Sequence, residues 1–199
     1  MKNVLALTAG LLAFASAFPY LVDVIRGKTH PNLVTWLTWT LVDVILFIAA
    51  LSSGSVATTI LMGGITLGAA AILVAGLRGG VKTYTPFDFA CQAIALIGIV
   101  AWRITGNAIT AVAISEIVVL VAALPTWRHA WLSPRAETWQ GFAVAIASGI
   151  FTLASLSRYD FVSLVPVLVF IGNSAILCAI ILGRRRYLAP PPSIPAQPA

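Results

Sequence analysis

Apolar runs of about 20 residues follow one another along this chain, divided by turns too short to be domains. In hydrocarbon such a run has one stable form, the α-helix, because only there does every backbone N–H and C=O find a partner within its own segment. Composition agrees. Hydrophobic residues make up 60% and charged residues 9%, with a mean hydropathy of +0.99, whereas roughly a quarter of the residues in a soluble domain are charged. The chain therefore belongs in a bilayer. The pattern predicts helices over residues 3–25, 32–52, 55–77, 86–104, 107–127, 136–156 and 161–183, punctuated by Gly27, Pro31, Ser52-Ser53-Gly54, Gly79-Gly80, Pro86, Gly106 and Pro134. The tail YLAPPPSIPAQPA, after Arg184-Arg185-Arg186, is proline-rich and is expected to be disordered.

One stretch occurs twice. Residues 18–41, FPYLVDVIRGKTHPNLVTWLTWTL, hold Pro19 near the end of an apolar run, then a basic turn, then Pro31 followed four residues later by Thr35-Trp36. Residues 124–142, LPTWRHAWLSPRAETWQGF, repeat the order with Pro125, a basic turn, and Pro134 followed four later by Thr138-Trp139.

Orientation follows from the basic residues in alternate turns. With the N-terminus outside, Arg26, Lys28, Arg78, Lys82, Arg128, Arg135 and Arg184 to Arg186 fall in the cytoplasm, nine of the 12 cations, leaving Lys2, Arg103 and Arg158 outside. The first and fifth predicted helices then run the same way, so the halves are parallel copies. A three-helix unit ends on the face opposite its start, and a second parallel copy requires one extra crossing. The expected fold is all-α integral membrane: seven transmembrane helices as two parallel three-helix bundles joined by a linker helix (3+1+3). Residues 1–78 form the first repeat, 79–105 the linker, 106–184 the second repeat and 185–199 the cytoplasmic tail. The short loops suit a bacterial inner membrane.

The net charge of +6 does not point to nucleic acid, because the cations sit in small groups between apolar runs and form no stripe with interleaved aromatics. Lys2, the following apolar run and Ala15-Ser16-Ala17 imitate a cleavable secretory signal. The run continues through Ile25, however, and has a counterpart in the middle of the chain, which favours its retention. Cys91 and Cys178 fall inside predicted spans and read as small core residues, not as a disulfide or metal site.

Two acids lie deep in predicted helices. Asp43 is about 11 residues into the second and Glu116 about nine into the fifth, near the bilayer midplane at ~1.5 Å per residue. An acid at that depth costs about 2.5 to 3.5 kcal/mol on insertion scales, so both are expected to face the bundle interior or water. They read either as hydrogen-bonded interior carboxyls or as groups that meet a substrate or a proton. Trp36, Trp39, Thr40 and Asp43 share one helical face that suits a cavity wall. Alternatively Trp36, Trp39, Trp127, Trp131 and Trp139, all near the basic boundary, form an interfacial aromatic belt. Pro19 and Pro125 occupy matching places, each freeing a carbonyl, and read as helix ends or as hinges of a cytoplasmic gate. Asn173 is a polar amide in the last apolar run, and reads as interhelical glue or a substrate contact. Gly64-x-x-x-Gly68 predicts close helix packing.

Absences prune the function classes. No lysine follows Lys82, so the last helix holds no retinal Schiff base; His30 and His129 read as loop residues, against an intramembrane Ser-His protease or a His-ligated metal. There is no phosphate loop and no HExxH. The chain is expected not to be an enzyme and to carry no cofactor or metal.

The paired prolines Pro19 and Pro125, the basic turns, the Thr-Trp openings and the outside-to-inside seven-helix order resemble the PQ-loop superfamily of transporters, including the SWEET sugar carriers. The glutamine that names the family is Tyr20 in the first copy and Thr126 in the second. The resemblance implies two three-helix bundles around a path open alternately to each side, with the prolines as hinges and Asn173 as a substrate contact. The leading expectation is a transporter or facilitator of a small polar solute by alternating access, proton-linked through the midplane acids. Its path would be lined by Asp43, Glu116, Asn173, Trp36, Trp39 and Trp139. The alternative is a non-transporting seven-helix module, a cargo receptor or accessory subunit. Expected partners are the lipid bilayer, a small-molecule solute and protons, with a homo-oligomer also open and no nucleic acid.

Overall fold

The computed structural model describes residues 2–80, 85–87, 89–90, 93, 97, 100, 104 and 108–188. Among these lie six α-helices: α1 Lys2–Ile25, α2 Leu33–Ser53, α3 Val56–Gly79, α4 Ala108–Leu132, α5 Trp139–Ser155 and α6 Phe161–Tyr187. A 3₁₀ turn, Pro134–Ala136, joins α4 to α5, and no strand element occurs among the described residues. All but α5 are long and apolar enough to cross a membrane; the 17 residues of α5 reach about 25 Å. The linker helix expected at 86–104, with Cys91, and the tail from residue 189 lie outside the described residues apart from scattered positions.

Local chemistry sets the helix ends. Gly27 closes α1 at φ 69°, where a side chain would be strained, as the Gly27 amide donates to the Val24 carbonyl. Asn32 caps α2 by accepting from the amides of Val34 and Thr35, and Gly54 ends it at φ 71°. Asp160 caps α6 by accepting from the Ser163 amide at 2.9 Å, and these hydrogen bonds hold its carboxyl below the usual aspartate range.

Three boundaries differ from the sequence expectation. Helix α4 does not stop at residue 127 but continues to Leu132, carrying Pro125 in its interior. A proline removes only its own N–H, and packed neighbours hold the continuation in place. His129 consequently sits in the last turn of a helix and not in a loop. Helix α5 starts at Trp139, three residues later than expected, because Pro134–Ala136 takes up the 3₁₀ turn. Helix α6 runs through Arg184, Arg185 and Arg186 to Tyr187, so a boundary after Arg184 falls inside it.

The helices pack as two similar trios. In the first, α3 lies between α1 and α2; in the second, α6 lies between α4 and α5. The trios meet through α1 against α5 and α2 against α4. Small residues permit this closeness. A Cβ at Gly64 would stand 2.5 Å from the Gly10 carbonyl oxygen, one at Gly68 2.9 Å from the Ala17 methyl, and one at Gly141 2.6 Å from the Ser16 carbonyl oxygen. Hydroxyls add cross-links: Ser148 donates to the Ala9 carbonyl and Thr58 to that of Ser163. Backbone approach and interhelical hydrogen bonding are what associate helices in lipid, where apolar burial offers little. Leu11, Leu67, Val74, Ile117 and Ile150 point outward and are each more than half exposed, as lipid-facing positions require.

Candidate functional site

A cavity of about 100 Å³ lies where the trios meet, lined from all six helices. From α1 come Ala13, Ser16, Ala17 and Tyr20; from α2, Trp36, Trp39, Asp43 and Leu46; from α4, Glu116 and Val119. Small residues of α3 and α5, among them Gly68, Ala69 and Gly141, open the space, and α6 supplies Pro166, Phe170, Asn173 and Ser174. Helical periodicity turns Trp36, Trp39 and Asp43 to one side of α2, since these positions fall one turn apart.

The two acids are the carboxyl-bearing part of this wall. Asp43 is 7% exposed and Glu116 5%. The Oε1 atom of Glu116 is buried with no hydrogen-bond partner among the described residues, and neither carboxyl belongs to the two ion pairs found among them, His129–Glu137 and Arg158–Asp160. The Asn173 Oδ1 accepts from Trp127 Nε1 at 2.9 Å, which fixes the amide's orientation and ties α6 to α4. Trp39 Nε1 donates to the Val119 carbonyl at 3.0 Å, bridging α2 to α4 across the trios.

Toward the end that carries the basic turns, the cavity is floored by aromatic rings. Tyr20 and Trp36 stand 5.1 Å apart between centroids, Trp36 and Trp39 5.2 Å, and Tyr20 and Phe142 6.1 Å. Beyond them a polar network crosses between the trios. The Tyr20 hydroxyl donates to Glu137 Oε2 at 2.9 Å, and the other Glu137 oxygen meets His129 Nδ1 at 2.7 Å. Thr138 donates to Asp23 Oδ2 at 2.8 Å and lies 2.8 Å from the Thr29 hydroxyl. Arg185 donates to the carbonyls of Pro134 and Glu137, clamping the 3₁₀ turn onto α6. Residues of α1, α4 and both basic turns are thus joined in one cluster.

Of the residues expected on a solute path, Asp43, Glu116, Asn173, Trp36 and Trp39 come together around the cavity. Trp139 does not line it; its ring packs in the adjacent apolar core and its carbonyl accepts from Cys178. The aromatic-belt reading is corrected for Trp36 and Trp39, which are buried, and for Trp127, whose N–H serves Asn173. Among these five, Trp131 is the outward one, 52% exposed beneath the Arg184 guanidinium. Pro19 and Pro125 lie inside α1 and α4, and each is followed by a buried residue, Tyr20 and Thr126. The network around Glu137 was not foreseen, although an acid immediately before the repeated Thr-Trp pair was its visible sign.

No family model, characterised protein or solved structure matches the chain.

Proposed function

We propose that this chain is a membrane transporter or facilitator that moves a small polar solute by alternating access between its two helix trios. The observation that carries the reading is the cavity at the trio interface, with two carboxyls that enter no ion pair among the described residues, inside otherwise apolar helices. Ionisable groups at such depth are costly and usually mark a pathway. The like packing of the two trios, each with its third helix in the middle, supports two parallel bundles, with residues 86–104 supplying the crossing between them in a 3+1+3 order. The N-terminus lies outside and the basic end in the cytoplasm of a bacterial inner membrane, as the lysine and arginine distribution favours.

In this mechanism the Tyr20–Glu137–His129 and Asp23–Thr138–Thr29 contacts form the inner gate. They connect residues that must separate if the trios part at the basic end. Pro19, immediately before Tyr20 in α1, and Pro125, one turn before His129 in α4, are the hinges. Asp43 and Glu116 couple flux to protons by exchanging a proton for solute. Purified protein in liposomes tests the reading through an uptake screen over cationic, neutral and anionic solutes. Saturable uptake of at least one class is expected, and its absence across the screen removes the proposal. Asp43→Asn or Glu116→Gln is expected to abolish the pH dependence of uptake; an unchanged pH profile removes proton coupling.

A further inference from the structure

The chemistry of the cavity wall narrows the solute class further than "polar". Its acidic side chains are Asp43 and Glu116, and no lysine, arginine or histidine among the described residues lines it. At the basic end Arg185 is engaged on the carbonyls of Pro134 and Glu137, and His129 on the Glu137 carboxylate. Glu116 presents a buried oxygen with no partner among the described residues. An acceptor placed so, in a space that a solute would fill, has its hydrogen-bonding need met by a donor on the ligand.

Three of the donors on the wall that could hold an anion are occupied. Trp39 Nε1 is spent on the Val119 carbonyl, the Tyr20 hydroxyl on Glu137 and the Ser16 hydroxyl on the Ala13 carbonyl. What remains beside the acids is the Trp36 Nε1–H, buried with no hydrogen-bond partner among the described residues, and ring surface. Tyr20, Trp36 and Trp39 form an uninterrupted aromatic run with centroids 5.1 and 5.2 Å apart. Aromatic faces carry negative potential and attract cations, Trp most strongly. Carboxyls and aromatic faces on one wall are the two elements that recognise an organic ammonium or guanidinium.

Size sets an upper limit. At about 100 Å³ the space is smaller than the roughly 150 Å³ apolar cavity that admits benzene, so the ligand has only a handful of heavy atoms. A carboxylate on that ligand would lie among two acids, with no cation among the described lining residues to meet it.

We propose that the cavity takes a small monovalent organic cation, an alkylammonium or guanidinium without an anionic group, held between Glu116 and Asp43 and the Tyr20–Trp36–Trp39 faces. This rests on the reading of the cavity as the solute site, and binding can be measured separately from flux. The experiment uses full-length protein in nanodiscs and radiolabelled guanidinium, with competition by ethylammonium, the neutral isostere propanol, the anion propionate, and sodium. Saturable guanidinium binding displaced by ethylammonium is expected, with at least tenfold weaker displacement by propanol and propionate and none by sodium beyond an ionic-strength effect. Glu116→Gln and Asp43→Asn are expected to weaken binding tenfold or more. No saturable guanidinium binding, or equal competition by the neutral and anionic isosteres, overturns the proposal, and that competition needs no variant to fold. Carboxamide variants that remain monodisperse and bind guanidinium like the parent also overturn it. Binding without uptake in liposomes sinks the transport reading and leaves the cation site standing; saturable uptake of neutral solutes alone does the reverse.

Discussion

Replacing Tyr20 by Phe removes one oxygen and leaves the ring in place against Trp36 and Phe142. The loss falls on Glu137, a side chain 1% exposed whose Oε2 accepts the Tyr20 proton. A hydrogen bond to a charged group contributes about 1.5 to 3 kcal/mol. His129 still serves the other oxygen at 2.7 Å, so the lower value applies. If the bond exists only while the basic end is closed, its loss shifts the closed-to-open ratio by that amount, and about 1.4 kcal/mol is tenfold. The assay is thiol labelling of Ser174→Cys in a background with Cys91 and Cys178 replaced by serine. Ser174 lines the cavity and is buried, so under the proposed mechanism a membrane-impermeant reagent applied from the basic side reaches it only through the proposed gate. Tyr20→Phe is expected to raise that labelling rate about tenfold, with no rise from the opposite side. A rate within twofold of the parent would refute the assignment of this contact to a gate.

Three further outcomes follow from the packing and the caps. Gly64→Ala sets a methyl 2.5 Å from the Gly10 carbonyl oxygen and is expected to cost about 1 to 3 kcal/mol, read as a lowered midpoint of thermal unfolding in detergent; Gly172→Ala, which meets nothing within 4 Å, is the neutral control. Asp160→Ala removes the cap of α6 and is expected to cost about 0.5 to 1 kcal/mol, the low part of the capping range because the carboxylate is solvated. Because Asp160 is held below the ordinary aspartate range, its contribution is present above the unfolded-state value and lost as pH falls through the lower folded value. The parent and Asp160→Ala should therefore converge in acid, as melting curves across pH would show. Trp127→Phe leaves Asn173 Oδ1 without its 2.9 Å donor and is expected to weaken solute binding while α4 stays folded, checked by guanidinium binding alongside circular dichroism.

Much of the fold was legible because hydrocarbon leaves the backbone few choices. Apolar run lengths located the described helices to within a few residues at most ends, and Gly64 and Gly68 announced the closeness of α1 and α3. Asp43, Glu116 and Asn173 stood out as polar groups with no reason to face lipid, and all three meet at one cavity. The misreadings share a cause. WRHAWLSP reads as a basic turn because Pro125 precedes it, yet tertiary packing carries α4 past the proline to Leu132, which brings His129 onto a helix facing Glu137. Tyr20 and Glu137 are 117 positions apart, and no local pattern in a phenol and a turn acid reveals that they touch. The tryptophans were ambiguous because an indole at a helix end suits an interface and a core equally; partners such as the Val119 carbonyl, 80 positions from Trp39, decide which.

Whether the trios part at their basic end during transport is tested most directly by locking them there. Thr29 and Thr138 have hydroxyls 2.8 Å apart on the two basic turns, so Thr29→Cys with Thr138→Cys, in the background free of other cysteines, places two thiols across the gate. Uptake into liposomes, measured on the same sample before oxidation, after complete cross-linking and after reduction, is expected to stop on cross-linking and return on reduction, with neither single variant responding. Undiminished uptake by fully cross-linked protein would contradict alternating access through this end of the molecule.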